Sequence, residues 1–356
     1  MSDTDPRLIA NVRDRVGHLH LNRPAALNAL SLDMIRQIID LLDHWAIERS
    51  LEAVLITGAT TGIGRMAAEH LAANGYFVYA GARKASDIAE LNKIENIQAV
   101  RLDVTIQDDI DAAVEQIGSE GRGLWGLVNN AGVNVVGPLI EFSDDDFDFL
   151  FDVNVKGVFS VTKAFAPLII ESKGRIVNIS SVAGIGTGSA YGPYSMTKHA
   201  IEAFTDALAE ELEVTGVTVS AIEPGNYSSA IGLTRCNRML ARADVGASQY
   251  WSEMMKEHID YCKERVAPGY KSSAPEPVAV AEAVEHALFS GEPKDKYLVV
   301  PQKGTAGWIT WSLVSDLLDY NTDAEHGFTR DEIVDILDRE IDFRAGNEDA
   351  FKDLRE

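Results

Sequence analysis

Cysteine is scarce: only Cys236 and Cys262 occur, and neither belongs to a CxxC pair. That argues against a disulfide framework and against a zinc site, so no metal is expected. The histidines His18, His20, His44 and His199 also lack ligand spacing. No uninterrupted apolar run reaches the roughly eighteen residues of a membrane span, so no span is expected. The first residues, "MSDTDPRLIANVRDR", carry neither an apolar signal core nor an acid-poor transit pattern, which leaves a cytoplasmic location as the expectation. Basic residues are outnumbered 32 to 55 by acidic ones, giving a net charge of −23. Such a surface opposes nucleic acid and anionic membranes, whose binding rests on basic patches. An anionic ligand must then be held by local positive groups, namely helix N-termini or isolated Arg and Lys. Internal repeats and low-complexity stretches are absent.

What is present suits a soluble α/β protein. With 356 residues, 46% hydrophobic, the chain can bury a sizeable core as one large domain or two small ones. From residue 53 onward short β-rich runs alternate with helical patterns. Strands are expected at 53–57, 76–80, 97–103, 124–129, 174–180, 217–223 and 296–301, and helices near 62–73, 107–118, 144–171, 192–214 and 278–289. Most strand runs are continuously apolar, as in strands covered on both faces. The expected fold is a Rossmann-like, doubly wound parallel sheet with helices on both faces.

Two flanks frame this region. Residues 31–47 place Met34, Ile35, Ile38, Ile39, Leu42 and Trp45 on one helical stripe, with Ser31 as the N-cap. From 302 to 356 a helical extension is expected, containing "AGWITWSLVSDLLDY" and "TRDEIVDILDREI". Both flanks need an apolar partner surface.

The stretch "TGATTGIG" puts Gly58, Gly62 and Gly64 where a strand turns into a helix. Glycines there permit a tight turn and a close approach by a pyrophosphate, which the free N–H groups of the helix start attract. Downstream stand "LDVT" with Asp103, "NNAG" at 129–132, "VNVKG" with Asn154, "YSMTK" with Tyr194 and Lys198, and "EPG" at 223–225. Ser181 lies thirteen residues before Tyr194. In this order the set resembles the short-chain dehydrogenase/reductase family, over about residues 53–301.

The resemblance implies an NAD(P)-dependent enzyme acting on CH–OH groups, with Asn154, Ser181, Tyr194 and Lys198 as catalytic residues. Tyr194 and Lys198 share a helix face, and an ammonium there is expected to draw the phenol toward working pH. Ser180 is the competing serine, set aside on spacing alone, and Tyr191 is expected to line the pocket. The cofactor is expected to meet Gly58, Thr60, Thr61, Gly62, Ile63 and Gly64 at the turn. Arg83, Lys84, Asp103 and Val104 would border its adenosine end. Asn130, Ala131, Gly132, Pro224 and Gly225, with Tyr194 and Lys198, would border the rest. NAD-preferring members usually end the second strand with Asp, whereas Ala82, Arg83 and Lys84 follow here, so NADP(H) is expected to be preferred, with NAD(H) as the alternative.

"LWGLVNNAG" and "IEPGNY" look like the branch of 3-hydroxybutyrate, retinol and hydroxysteroid dehydrogenases. A small-molecule alcohol or carbonyl is the expected substrate, of mid-sized apolar character if the Met, Trp and Tyr content of the lid, about 226–275, faces it. The family also implies a homodimer or homotetramer. Residues 14–59, within a 1–52 extension that runs into the glycine turn, resemble the opening of the crotonase (enoyl-CoA hydratase) superfamily through "NRP…NAL" and "VLITGA". The glycine-rich segment that forms that superfamily's oxyanion hole is missing, so a fusion at the turn is the simplest account. Two other readings remain: a CoA-thioester hydratase or hydrolase, and a non-catalytic cofactor-binding scaffold.

Overall fold

The computed structural model describes residues 8–13, 16–21, 30, 32–39, 53–242, 248–321 and 327–344. The "NRP…NAL" turn up to Asn28, Ser31, Leu42 and Trp45 lie outside these residues. The chain divides into two compact units, Met1–Pro301 and Gln302–Glu356.

The first unit opens with β1 (Leu8–Arg13) and β2 (Val16–Leu21), an antiparallel pair. A helix over 32–39, α1, follows. The expected apolar stripe on it is only partly used. Met34 is fully buried, but Ile35 and Ile39 are exposed.

The main sheet then begins. β3 (Ala53–Ile56) leads through the glycine turn into α2 (Gly62–Ala73), β4 (Phe77–Ala82), α3 (Ala85–Leu91), β5 (Ile97–Arg101), α4 (Gln107–Ser119) and β6 (Gly126–Asn129). A continuous helix follows, made of α5 (Asp144–Phe151), a π-helical turn (Asp152–Lys156) and α6 (Gly157–Glu171). Next come β7 (Arg175–Ile179), α7 (Gly192–Glu213) and β8 (Thr218–Pro224). The lid region folds as α8 (Ile231–Ala241) and α9 (Ser252–Val266), before α10 (Val278–Phe289) and β9 (Lys296–Val299). Expected strands and observed strands differ by at most a few residues at their ends.

The seven strands run in the order β5-β4-β3-β6-β7-β8-β9, every pairing parallel. The chain starts in the middle at β3, winds outward to β5, and returns to β6. The strand order therefore reverses between β3 and β6, where a crevice opens beyond the strand ends. Alternation along β3 explains its apolar run. Val54 and Ile56 join the core shared with α2 and α10. Ala53 and Leu55 join the core on the other face, with Ile110, Val161 and Phe165. All four β3 residues are fully buried, so a cut such as Leu55→Ala would cost about 2–5 kcal/mol.

A polar line crosses this apolar sheet. Asn129 Nδ2 donates to Thr162 Oγ1 and to Asn178 Oδ1, both at 2.8 Å, and Asn178 Nδ2 donates to Thr205 Oγ1 at 2.9 Å. It fixes α6 and α7 against β6 and β7, because buried polar groups lose heavily if left unpaired. The helix over 144–171 is long and apolar enough to cross a membrane by composition, yet Val158, Val161, Phe165 and Ile169 are buried in the protein's own core.

In the second unit, α11 (Lys303–Tyr320) and α12 (Arg330–Arg344) are joined through Asn321, which exchanges two hydrogen bonds with the Phe328 backbone. Thr329 and Glu332 form a capping box at the start of α12. Trp311, Leu313, Leu318 and Leu337 are exposed.

Candidate active site

The glycine turn is built around close approaches. Gly58 and Gly62 have φ of +64° and +57°, a region that favours glycine. A Cβ on Gly64 would stand 2.3 Å from Asn130 Nδ2 and 2.6 Å from the Gly58 carbonyl. Thr57, at the end of β3, ties the turn to the next strand's loop. Its Oγ1 accepts from the Asn130 and Ala131 amides, both at 2.9 Å, while Asn130 Nδ2 donates to the Thr57 and Gly58 carbonyls at 2.9 and 3.1 Å. The first turn of α2 contains no acidic side chain, so its amides and partial positive charge are open to an anion. These features fit a dinucleotide pyrophosphate. Thr60 and Ile63 are half-buried and Thr61 is exposed.

At the ends of β4 and β5, Arg83 Nη1 lies 3.6 Å from Asp103 Oδ2. Burial pushes the Asp103 carboxyl up, but hydrogen bonds from Thr105 and the Arg83 guanidinium outweigh it and leave it lowered. Lys84 is exposed as the N-cap of α3, and Val104 packs against Gly157. Pro224 is buried at the end of β8, and the Gly225 amide donates to the Val299 carbonyl at 2.8 Å.

Asn154 lies in the π-helical turn, where an extra residue turns its side chain inward. Its Oδ1 accepts from the Val133 amide at 2.8 Å, and its Nδ2 donates to the Val133 carbonyl at 2.9 Å and to Thr197 Oγ1 at 3.1 Å. The amide therefore fastens the loop after β6. A Cβ on Gly132 would come within 3.5 Å of Asn154 Oδ1 and 3.9 Å of Lys198 Nζ, so these residues share one small volume.

Tyr194 and Lys198 are both buried on α7. Lys198 Nζ donates to the Ile179 carbonyl at 2.9 Å and lies 5.8 Å from the Tyr194 ring centroid. Burial pushes the Lys198 ammonium down to about 8, with Glu202 acting the other way. Burial pushes the Tyr194 hydroxyl up to about 12, against the lowering effects of a Ser181 hydrogen bond and of Arg235. The motif leads one to expect a phenol drawn down by the Lys198 ammonium; here burial is the largest influence, and the charge that opposes it is that of Arg235. Ser181 Oγ also accepts from the Ala183 amide at 3.1 Å. Ser180 Oγ is instead buried under Gly184, 2.7 Å from where a Cβ would be.

Several residues of this neighbourhood carried no motif. Thr197 and Arg235 had no sequence signal at all, and Thr57 had only a hint as a polar residue ending an apolar strand. Cys236 and Cys262, expected to be unpaired, form a disulfide joining α8 to α9. Antiparallel packing of two helices whose cysteines are 26 residues apart in sequence brings them together. Much of the lid's apolar content is core: Met239, Ile259 and Met254 pack around that disulfide.

A family model described as short chain dehydrogenase matches residues 52–237, and one described as Enoyl-CoA hydratase/isomerase matches residues 16–63. The mitochondrial D-beta-hydroxybutyrate dehydrogenase of Bos taurus is 37% identical over 69% of this chain and 76% of its own. Retinol dehydrogenase 16 of Homo sapiens is 33% identical over 74% of this chain and 85% of its own. A solved structure of an actinorhodin polyketide ketoreductase variant with NADPH superposes with a TM-score of 0.57 at 30% identity, covering 71% of this chain and 97% of that one.

Proposed function

This chain belongs to the short-chain dehydrogenase family of oxidoreductases acting on CH–OH groups, and on that premise we propose that it interconverts a secondary alcohol and its carbonyl with NADP(H). In the balanced reaction one secondary alcohol and one NADP⁺ give one ketone, one NADPH and one proton. The observation that carries this reading is the gathering of Ser181, Tyr194 and Lys198 beside Gly132, at the carboxyl ends of the central strands.

A nicotinamide cofactor, when bound, would supply the hydride-transfer chemistry. Tyr194 exchanges the proton with the substrate oxygen. Its raised pKa keeps the phenol protonated near neutrality, ready to donate in the carbonyl-reducing direction. Ser181 hydrogen-bonds the same oxygen as negative charge grows on it. Lys198 holds a positive charge beneath the phenol, and Asn154 positions the loop carrying Gly132. At the other end of the cleft, Gly58, Gly62 and Gly64 would hold the cofactor's pyrophosphate. Ala82 in place of an acid, with Arg83 beside it, supports a 2′-phosphate and hence NADP(H).

We also read the protein as a homodimer or homotetramer. Phe151, Val155, Phe159, Ile201 and Phe204 line an apolar depression of about 330 Å³ on the α6–α7 face, and Phe159 is 53% exposed. The function is tested with a panel of alcohols and ketones and both cofactors, comparing wild type with Tyr194→Phe. Turnover that survives Tyr194→Phe undiminished overturns it.

A further inference from the structure

Arg235, on α8, is only 7% exposed, yet no carboxylate among the described residues pairs with it. The contrast lies within α8 and its C-cap. Arg238 and Arg242 both grip Asp146, at 2.6 and 2.8 Å. Among the described residues Arg235 makes a single hydrogen bond, from Nη1 to Tyr191 Oη at 2.8 Å, and its Nε is buried without an acceptor. Arg265, on α9, repeats the arrangement: Nη1 donates to Tyr261 Oη at 3.0 Å, and Nε is buried without an acceptor. The two guanidinium groups flank the Tyr261 ring, 5.4 and 5.9 Å from its centroid. Gly232 makes room for the second one, since a Cβ there would stand 2.7 Å from Arg265 Nη2.

Buried cations without a counter-ion are costly. Acids are not in short supply in a chain with 55 of them against 32 bases. Stacking on tyrosine offsets part of the cost but leaves the Nε donors unsatisfied. A carboxylate fits what is missing. With Nη1 engaged, the Nε–Nη2 edge of Arg235 remains, and a planar two-oxygen anion matches that edge in bidentate fashion. Nε is shielded from solvent, so engagement calls for a local side-chain shift in the lid, of a size ligand entry commonly brings.

The location gives this anion site a purpose. Tyr191 opens α7 three residues before Tyr194 and packs against the cluster that contains it, so the Arg235 guanidinium is hydrogen-bonded to a neighbour of the reacting tyrosine. Its charge reaches that far: it opposes the upward push of burial on Tyr194, and it reinforces the lowering of His258.

We infer that Arg235, with Arg265 behind it, binds a carboxylate on the substrate, which makes short hydroxy acids and the matching keto acids the substrate class. The inference rests on the alcohol–carbonyl reading of the Tyr194 site, but the anion site has a test that needs no turnover.

Two arms separate the ideas. In the first, kcat/KM of the full-length protein is measured for 3-hydroxybutyrate and for its methyl ester, which differ in charge. Wild type is expected to prefer the acid. Arg235→Gln is expected to lower the acid-to-ester ratio by about 30-fold, chiefly through KM. Arg235→Lys recovers part of it, and Arg265→Gln causes a smaller fall. A purely structural role lowers both substrates alike and leaves the ratio fixed, which overturns the proposal. In the second arm, butyrate is titrated by calorimetry into the Tyr194→Phe protein. Saturable binding that disappears with Arg235→Gln supports the site even if no alcohol is ever oxidised, in which case the functional reading fails alone. Butyrate binding that is absent, or indifferent to Arg235, overturns the anion site while leaving hydride transfer intact.

Discussion

Thr57 and Asn130 hold each other from both sides: the Thr57 hydroxyl accepts the Asn130 amide at 2.9 Å, and the Asn130 side chain returns a bond to the Thr57 carbonyl at 2.9 Å. The Thr57 hydroxyl also takes the Ala131 amide. Thr57→Val keeps the shape and strands two backbone donors. Each such loss costs about 1–3 kcal/mol when buried. Melting temperature should fall, and the dissociation constant for NADPH should rise by more than kcat falls. Calorimetric titration with NADPH, beside a thermal melt, checks this; an unchanged melt would sink it.

Gly64→Ala tests the turn itself. The new Cβ meets the Gly58 carbonyl at 2.6 Å as well as the Asn130 side chain, and only the side chain can step aside. Cofactor affinity should drop at least about tenfold, since a misplaced turn loses the amides that face the pyrophosphate. Gly75→Ala is the control, because open space surrounds that position; its φ of +89° makes a small stability loss the only expected effect.

Arg83→Ala should erase most of the preference for NADPH over NADH. The measurable quantity is the ratio of kcat/KM values for the two cofactors, and it should fall by about tenfold or more, consistent with loss of a charge-assisted phosphate contact. A wild-type protein that favours NADH tenfold would refute the assignment before any mutant is made.

Glu223 carries a pH signature. Burial first, then the neighbouring Glu202 carboxylate, raise its pKa to about 7, against the pull of Lys296. A carboxyl whose folded pKa lies above its unfolded value binds its proton more tightly in the folded state. Its stabilising contribution is therefore complete below the ordinary carboxyl range and is lost as pH rises through about 7. Glu223→Gln removes the titration while keeping a hydrogen-bond donor toward Glu202. The melting temperature of the variant minus that of wild type should become more positive between pH 5 and pH 8. A difference that stays flat across that range contradicts the assignment.

Much of the scaffold was legible in the sequence because it obeys local rules. The run at 53–57 reads as a strand covered on both faces, and Ala53–Ile56 form one. Gly58, Gly62 and Gly64 announce a turn, and the positive φ of the first two with the close contacts of all three explain why no other residue stands there. What escaped depends on distant packing. The inward aim of Asn154 follows from a π-helical turn inside a helix that otherwise reads as regular from 144 to 171. The Cys236–Cys262 pairing needs two helices to fold back on each other, and no local spacing encodes that. Arg235 carries no motif; its burial and missing counter-ion are properties of the assembled lid. The stripe from Met34 to Ile39 shows the opposite error, where a good local pattern is only partly matched by burial.

The two family models overlap across residues 52–63, the strand β3 and the turn it feeds. That strand opens the main sheet, and the ties described for the cleft, from Thr57 onward, begin at its end or later in the chain. A recombination event at this strand inherits the whole cleft from one parent in a single piece. On the fusion reading, the upstream parent contributes no more of the main sheet than this strand, whose apolar pattern suits both matches, so the N-terminal sequence can be exchanged there without redesign of the chemistry downstream.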